Sequence, residues 1–434
     1  METDFKKEFL SNKNILLSAP GVLLSDNYYD MYSHTSSMIE TTWGTGKNVQ
    51  SLPSLAFGTT TNINVPNGSF MAETYLRLVI ELANPANANV TLTAGWGWAC
   101  IAEIQYLLGS SNASMTTISG EALFTQAMGQ CPTAEKRSEI FRLGGEPQGV
   151  GPAASFGRFE ANILIPLPYS SLCEKKGIDT KMLTSNIILT IKFKPNTAIF
   201  GGSGVKPTAF TSAQLYYRQG DLSNANQSLS IPMRMDSELI YSYPFLHAQP
   251  IVASPFQGVT EADSSNGTLI NLTGFINSDL VGIAFYVVDE LDVLQSANRS
   301  PNPFNCVDVQ NIVMRYNGNI IYSAPGSSYR LINMTGSQSA SYFANSIIQP
   351  KNGGVAPFAV EPKNCYICWV DFAKIREACV NGEHFANTFR VSNQTLTINL
   401  NTPESNDHNY RLYGVYLYNG IVAFKGGMTF LYYD

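Results

Sequence analysis

Three stretches of this sequence recur in one order and at one spacing, and that recurrence limits the fold more than any single residue does. Residues 101–124 read IAEIQYLLGSSNASMTTISGEALF: a strand, a Gly/Asn/Ser turn, a second short strand and a helix start. Residues 309–332, VQNIVMRYNGNIIYSAPGSSYRLI, follow the same grammar roughly two hundred residues later. Residues 163–193 are echoed by residues 367–400. Each is an apolar strand, a short charged helical segment with one cysteine (Cys173 or Cys379), a turn, and a strand carrying Leu-Thr-Ile. The tyrosine-rich strand 213–218 is echoed by 411–418. Three echoes in one order predict two copies of one domain.

Strand and turn signals fill in the rest. In the first half, strands are expected at 70–82, 89–99, 101–108, 159–167, 186–194 and 208–218, from β-branched and aromatic residues in partial alternation. Ser119 is placed to cap a helix running to Met128, and Pro132 opens a second helical piece over 134–142 that Gly144-Gly145 closes. In the second half, strands are expected at 238–248, 268–275, 281–288, 309–315, 319–323, 365–372, 389–400, 410–418, 421–424 and 428–433. Asn317-Gly318 marks a tight hairpin, because this pair accepts the positive φ of a type I′ turn. The polar stretch 219–236, with Pro232 inside it, separates the halves. The resulting division is an N-terminal arm at 1–45, a first domain at 46–222, a linker at 223–236 and a second domain at 237–434. About eight short strands per half, with short helices in the connections, predict an all-β fold of two tandem eight-stranded jelly rolls.

Charge is scarce. Only 14% of residues are charged, against about 25% in typical domains, while hydrophobic content is an ordinary 44%. Asn, Ser, Thr, Gly and Gln take the place of the missing charges, which fits either a surface that faces other protein or a β-rich chain with polar uncharged loops. The net charge is −6 and no block of Lys or Arg occurs, so no sequence-specific nucleic-acid surface is expected. Seven cysteines lack framework spacing, and the opening METDFKKEFLSN lacks the apolar run of a secretory signal. Both predict reduced thiols in an intracellular compartment. Nine Asn-X-Ser/Thr triplets, Asn89, Asn271 and Asn393 among them, read as chance matches in an Asn-rich chain. No apolar run reaches the length of a membrane helix.

Each chemical motif has a packing reading that outweighs its functional one. Cys365 and Cys368 place their sulfurs on opposite faces of a strand, with no second pair to complete a zinc set. Cys173 and Cys379 lack a base, since His34, His247, His384 and His408 are scattered. Asp289, Glu290 and Asp292 form a carboxylate cluster suited to calcium, but read better as a solvated loop. The run 201–204 is followed by Lys206-Pro207 rather than Lys-Ser/Thr, so it is not a phosphate loop. Trp43, Trp96 and Trp98 offer sugar-stacking surfaces, the latter two on one face of an expected strand, yet core or interface anchoring is the stronger reading. No catalytic, cofactor-binding or metal-binding residue is therefore expected, and no cofactor.

Three segments carry a resemblance to a known family. They are the strand–Gly turn–strand–helix at 101–123, the strand–helix–strand at 163–194 with Ile165-Pro166-Leu167-Pro168, and the terminal hairpin from Tyr418 to Tyr433 with its pair Gly426-Gly427. Together they resemble the double jelly-roll major capsid proteins of icosahedral double-stranded DNA viruses: the adenovirus, tectivirus-like phage and nucleocytoplasmic large DNA virus lineage. The helix after Pro168 is more charged than that pattern, with Glu174-Lys175-Lys176. The resemblance implies a structural, non-enzymatic protein of the virion. It implies a homotrimer that packs against neighbouring capsomers and against minor capsid or penton proteins, with the arm reaching an inner membrane or inner capsid layer. Outer towers are expected at 109–156, 289–304 and 323–362. Two rival readings are a two-domain β-sandwich glycan-binding protein or polysaccharide-active enzyme, and a minor spike or penton-type capsid protein.

Overall fold

The structure is a computed structural model of the 434-residue chain. It describes residues 40–41, 49–65, 70–83, 89–108, 113–129, 134–145, 157–165, 178–179, 186–221, 241–252, 254–257, 268–272, 279–294, 301–307, 309–316, 319–324, 367–371, 389–390, 394–400, 409–425 and 428–433. The fold is mostly antiparallel β-sheet with short helices.

Eight principal strands belong to the first half. They are β1 (Val49–Ser51), β2 (Thr60–Val65), β3 (Phe70–Leu82), β4 (Ile101–Leu108), β5 (Ala113–Ile118), β6 (Gly157–Ile165), β7 (Ile187–Phe193) and β8 (Ser212–Asp221). They form two sheets, sheet I in the order β1-β8-β3-β6 and sheet II in the order β2-β7-β4-β5. Eight more follow: β9 (Tyr241–Val252), β10 (Thr268–Leu272), β11 (Asp279–Asp289), β12 (Val309–Tyr316), β13 (Asn319–Ala324), β14 (Cys368–Asp371), β15 (Gln394–Leu400) and β16 (Asn409–Lys425). These form sheet III, β9-β16-β11-β14, and sheet IV, β10-β15-β12-β13. Each half thus runs first-eighth-third-sixth in one sheet and second-seventh-fourth-fifth in the other. Among the described residues, no strand before Asp221 pairs with one after Tyr241.

The three sequence echoes fall on matching places in this order. The first pair becomes β4-β5 and β12-β13, the second holds β6 with β7 and β14 with β15, and the third is β8 and β16. Tyr316 pairs with Asn319, which leaves the two-residue connection expected of Asn317-Gly318. The segments around Cys173 and Cys379, expected to be helical, lie outside the described residues, as do Cys365, His34, His384, His408, Trp43 and the linker 223–236. Of the arm, Glu40–Thr41 is described, and it pairs with the end of β8.

Period-two alternation builds the first core. Ile63 and Val65 of β2, Leu189 and Ile191 of β7, and Ala161 and Ile163 of β6 are all buried, while their neighbours in sequence turn outward. Between sheets I and II the Tyr106 hydroxyl donates to Thr74 Oγ1 at 3.2 Å. Burial raises the Tyr106 phenol well above its ordinary range.

Four strand expectations need correction. Residues 89–99 are not one strand: Val90–Leu92 is a short strand, and Trp96–Ala99 is a helical turn, α1. Gly95 at φ 65° reverses the chain between them, a conformation that side-chain-bearing residues rarely adopt. Residues 389–400 are split into Phe389–Arg390 and β15. Residues 410–418 and 421–424 belong to the single strand β16, because Asn419 and Gly420 remain paired to Leu246 and Phe245 of β9. The terminal hairpin is present as expected, joining β16 to β17 (Met428–Tyr433) across Gly426-Gly427.

Candidate functional site at the seam of the two sheet systems

Two helices from the first half occupy the connection between β5 and β6. Helix α2 spans Gly120–Gly129 and α3 spans Ala134–Leu143. Ser119 caps α2 as expected: its hydroxyl accepts from the Ala122 amide at 3.2 Å and its carbonyl from the Leu123 amide at 2.9 Å. The Gly144-Gly145 stop of α3 is also present, with the Gly144 amide donating to Ile140 O at 3.0 Å and Gly145 at φ 118°.

These glycines also make the bed for two tryptophans. The Gly97 amide donates to Gly144 O at 3.0 Å and the Gly95 amide to Gly145 O at 2.9 Å, which clamps α1 against the end of α3. A β-carbon on Gly144 would lie 1.9 Å from the Trp98 ring, and one on Gly145 would lie 2.5 Å from the Trp96 ring. A β-carbon on Gly120 would lie 1.9 Å from Trp98 O. Trp96 is fully buried and Trp98 is 1% exposed, so the sugar-stacking reading of this pair is overturned. Neither indole N–H has a hydrogen-bond partner among the described residues.

Around Trp98 an aromatic cluster joins the halves. Trp98 packs edge-on to Phe124 of α2, with centroids 5.5 Å apart. Phe124 in turn meets Phe304 at 4.2 Å and Tyr286 of β11 at 5.5 Å. Phe304 and Tyr286 come from the second half, and both are fully buried. Such offset and edge-to-face pairs each contribute about 0.5–1.5 kcal/mol beyond area burial. Helix α2 also packs on β9, β11 and β16, so the outer face of sheet III, with Ala284, Tyr286, Val288 and Val415, is sealed by the first half.

Polar contacts reinforce this seam. Glu121, in the first turn of α2, is 7% exposed and pairs with Lys194 just past β7. Burial, then the nearby Glu121 charge, pushes the Tyr413 phenol of β16 upward. Arg411 beside it grips Glu290 at 2.6 Å. The Thr93 hydroxyl donates to Pro301 O across the halves.

The carboxylate cluster lies on a short surface helix rather than in a loop. Asp289 caps the short helix α4 (Glu290–Val293) by accepting from the Leu291 amide at 2.8 Å. Glu290 takes Arg411, and Asp292 accepts from Asn305 Nδ2 at 2.8 Å. Among the described residues, no group of three or more His, Cys, Asp or Glu is placed to hold a metal ion. Parts of the towers expected at 109–156 and 289–304 are corrected too, because α2 and Phe304 lie in the core, while 146–156, 295–300 and nearly all of the tower expected at 323–362 lie outside the described residues. The run 201–204 begins in a short strand, Phe200–Gly202, paired with Val90–Leu92. Cys100 and Cys306 are buried free thiols, and burial drives the Cys100 thiol far above its ordinary range. Among the described residues, no helix is long and apolar enough to cross a membrane.

Sequence reasoning missed the partners of this seam: Phe304, Glu121, Lys194, Tyr413 and Arg411. The one legible signal was the sequence GWGW followed, past two helices, by Gly144-Gly145.

No protein-family model matches the sequence, and no curated protein matches it. Solved structures do. The chain is similar to VP54 of PBCV-1, as fitted into a reconstruction of the virophage Sputnik, with a TM-score of 0.61 at 12% identity, over 91% of this chain and 96% of that one. It is similar to the Faustovirus major capsid protein, with a TM-score of 0.54 at 8% identity, over 88% of this chain and 90% of that one. A chain of the Sputnik virophage gives a TM-score of 0.51 at 11% identity, over 91% and 88%. At these identities the likeness is one of fold.

Proposed function

We propose that this chain is a non-enzymatic major capsid protein, which builds an icosahedral virus shell as pseudo-hexagonal homotrimers. One observation carries the reading: the same eight-strand order occurs twice in one chain, in a fold similar to viral major capsid proteins. Each half is then a jelly roll, the first at 46–222 and the second at 237–434, joined by the linker 223–236. Three such chains present six similar blocks, a shape that tiles a flat facet. The buried seam supports this, since a block that bears lateral load needs its two halves locked together. The low charge fits lateral packing. Residues 1–45 serve as an arm that ties the capsomer to its surroundings, an inner membrane or inner capsid layer, while minor or penton proteins fill the vertices. The virion is the place of action.

The glycan-binding alternative loses its main support with the burial of Trp96 and Trp98. Light scattering on the purified chain tests the proposal. A stable particle of three times 47.5 kDa, with pseudo-hexagonal outlines in negative stain, is the expected result. A stable monomer of 47.5 kDa that binds oligosaccharide would overturn it.

A further inference from the structure

The eighth strand of the second half runs well past its neighbour. Pairing of β16 with β11 stops at Tyr418 and Leu280, while β16 continues to Lys425. Beyond that point β9 flanks it on one side and β17 on the other, which makes a three-strand ribbon. In register, Tyr243, Val422 and Leu431 share one face of the ribbon, and Pro244, Ile421 and Tyr432 share the other. Apolar residues on both faces mark strands that are covered on both sides. Strand β5 of the first half lies beside both β9 and β17, which supplies one cover. Among the described residues β17 pairs with β16 alone, so no described strand lies along its second edge. It reads Met-Thr-Phe-Leu-Tyr-Tyr, a run with no charge, no Pro and no Gly. An edge of this composition is a template for indiscriminate strand addition, and native proteins cover it.

We propose that residues 15–24 of the same chain, Ile-Leu-Leu-Ser-Ala-Pro-Gly-Val-Leu-Leu, cover the ribbon by adding along the open edge of β17. The inference rests on the reading of residues 1–45 as an arm, and it gives that arm a docking place on its own molecule. Three observations select this occupant. The arm already adds as a strand, since Glu40 and Thr41 pair with Asp221 and Gly220 at the end of β8, the first half's equivalent of β16. The distance is within reach. Residues 222–240 tie that end of β8 to the first strand of the ribbon, and from Glu40 back to Leu24 the chain extends up to about 50 Å. The chemistry also matches: the run carries two apolar triplets and no charge, and Pro20, which donates no amide, is tolerated on an outer strand. Tethering favours the chain's own arm over a free copy, because a short flexible tether holds it at about millimolar local concentration.

Hydrogen exchange of the full-length chain, read by mass spectrometry on peptides covering 428–433, tests the proposal. In the double variant Leu16→Lys, Leu23→Lys the amides of β17 are expected to exchange about tenfold faster than in the native chain, with those of β8 unchanged and native circular dichroism. A chain lacking residues 1–39 is the second variant. It should show the same loss of protection, and a synthetic peptide of residues 12–27 should restore it. Unchanged exchange in either variant, or no rescue by the peptide, overturns the proposal. So does native protection that disappears on dilution, which assigns the cover to a second copy. Protection that appears only with vesicles of phosphatidylcholine and phosphatidylglycerol overturns it too, and assigns the cover to a membrane. Light scattering separates this failure from that of the capsid reading: a monomeric native chain overturns the capsid reading and leaves the exchange comparison intact.

Discussion

Phe304→Ala tests whether the seam is a structural joint. Phe304 is fully buried and meets Phe124 at 4.2 Å, Trp98 at 6.3 Å and Tyr286 at 6.4 Å. A buried phenylalanine removes some 150 Å² or more from water, worth about 4 kcal/mol at about 25 cal/mol per Å². Truncation leaves a cavity walled by α2 and β11, which the clamp between Gly95 and Gly145 prevents from collapsing, so measured Phe→Ala costs of about 3–5 kcal/mol apply in full. We therefore expect a loss of about 4 kcal/mol. Phe304→Leu keeps most of the volume and loses ring geometry, for a cost of about 1–1.5 kcal/mol. Equilibrium unfolding in urea, followed by tryptophan emission, reads both, because Trp98 lies in the affected cluster. The alanine variant should also separate the unfolding of the two sheet systems into distinct steps. A loss below about 1 kcal/mol, with a single unchanged transition, would refute the claim that Phe304 joins the halves.

Three further outcomes follow from named contacts. Gly144→Ala should cost more than about 3 kcal/mol, measured by thermal unfolding, because its β-carbon falls 1.9 Å from the Trp98 ring. Cys100 and Cys306 should resist iodoacetamide in the native chain and react once it is unfolded, read by peptide mass; native alkylation of Cys100 would contradict its burial. The hydrogen bonds from Arg77, aided by Asn162, hold the Glu160 carboxyl below its ordinary range. Its stabilising contribution is thus complete above the unfolded value of about 4.3 and is lost as pH falls through the lower folded value, so Glu160→Gln should flatten that part of a pH–stability profile.

Much of the fold was legible because it is local or repeated. The β4-β5 and β12-β13 hairpins carry turn residues between alternating strands, and Ser119 and Gly144-Gly145 mark helix ends by backbone chemistry that a sequence displays. The tryptophan turn was misread because Trp-Gly-Trp has the period of a strand, while its actual conformation depends on Gly95 and on a carbonyl from Gly144, far along the chain. The seam was illegible for the same reason at greater distance. Nothing near Phe304 announces Trp98 as its neighbour, and nothing near Glu121 announces Lys194. Asp289, Glu290 and Asp292 looked like a loop because their partners, Arg411 and Asn305, lie outside any local window. The place of α2 on sheet III likewise emerges only once both halves are folded.

The position of Phe304 in the chain sets a schedule for synthesis. Phe124 leaves the ribosome well before it, by about 9–36 s at a synthesis rate of about 5–20 residues per second. Throughout that interval the first sheet system can form its own strands but presents Trp98 and Phe124 to solvent without their closing ring. The nascent first half is therefore an obligate waiting state with an adhesive aromatic patch. The cell must shield that patch, or translate through it quickly, before two neighbouring ribosomes on one message exchange their second halves.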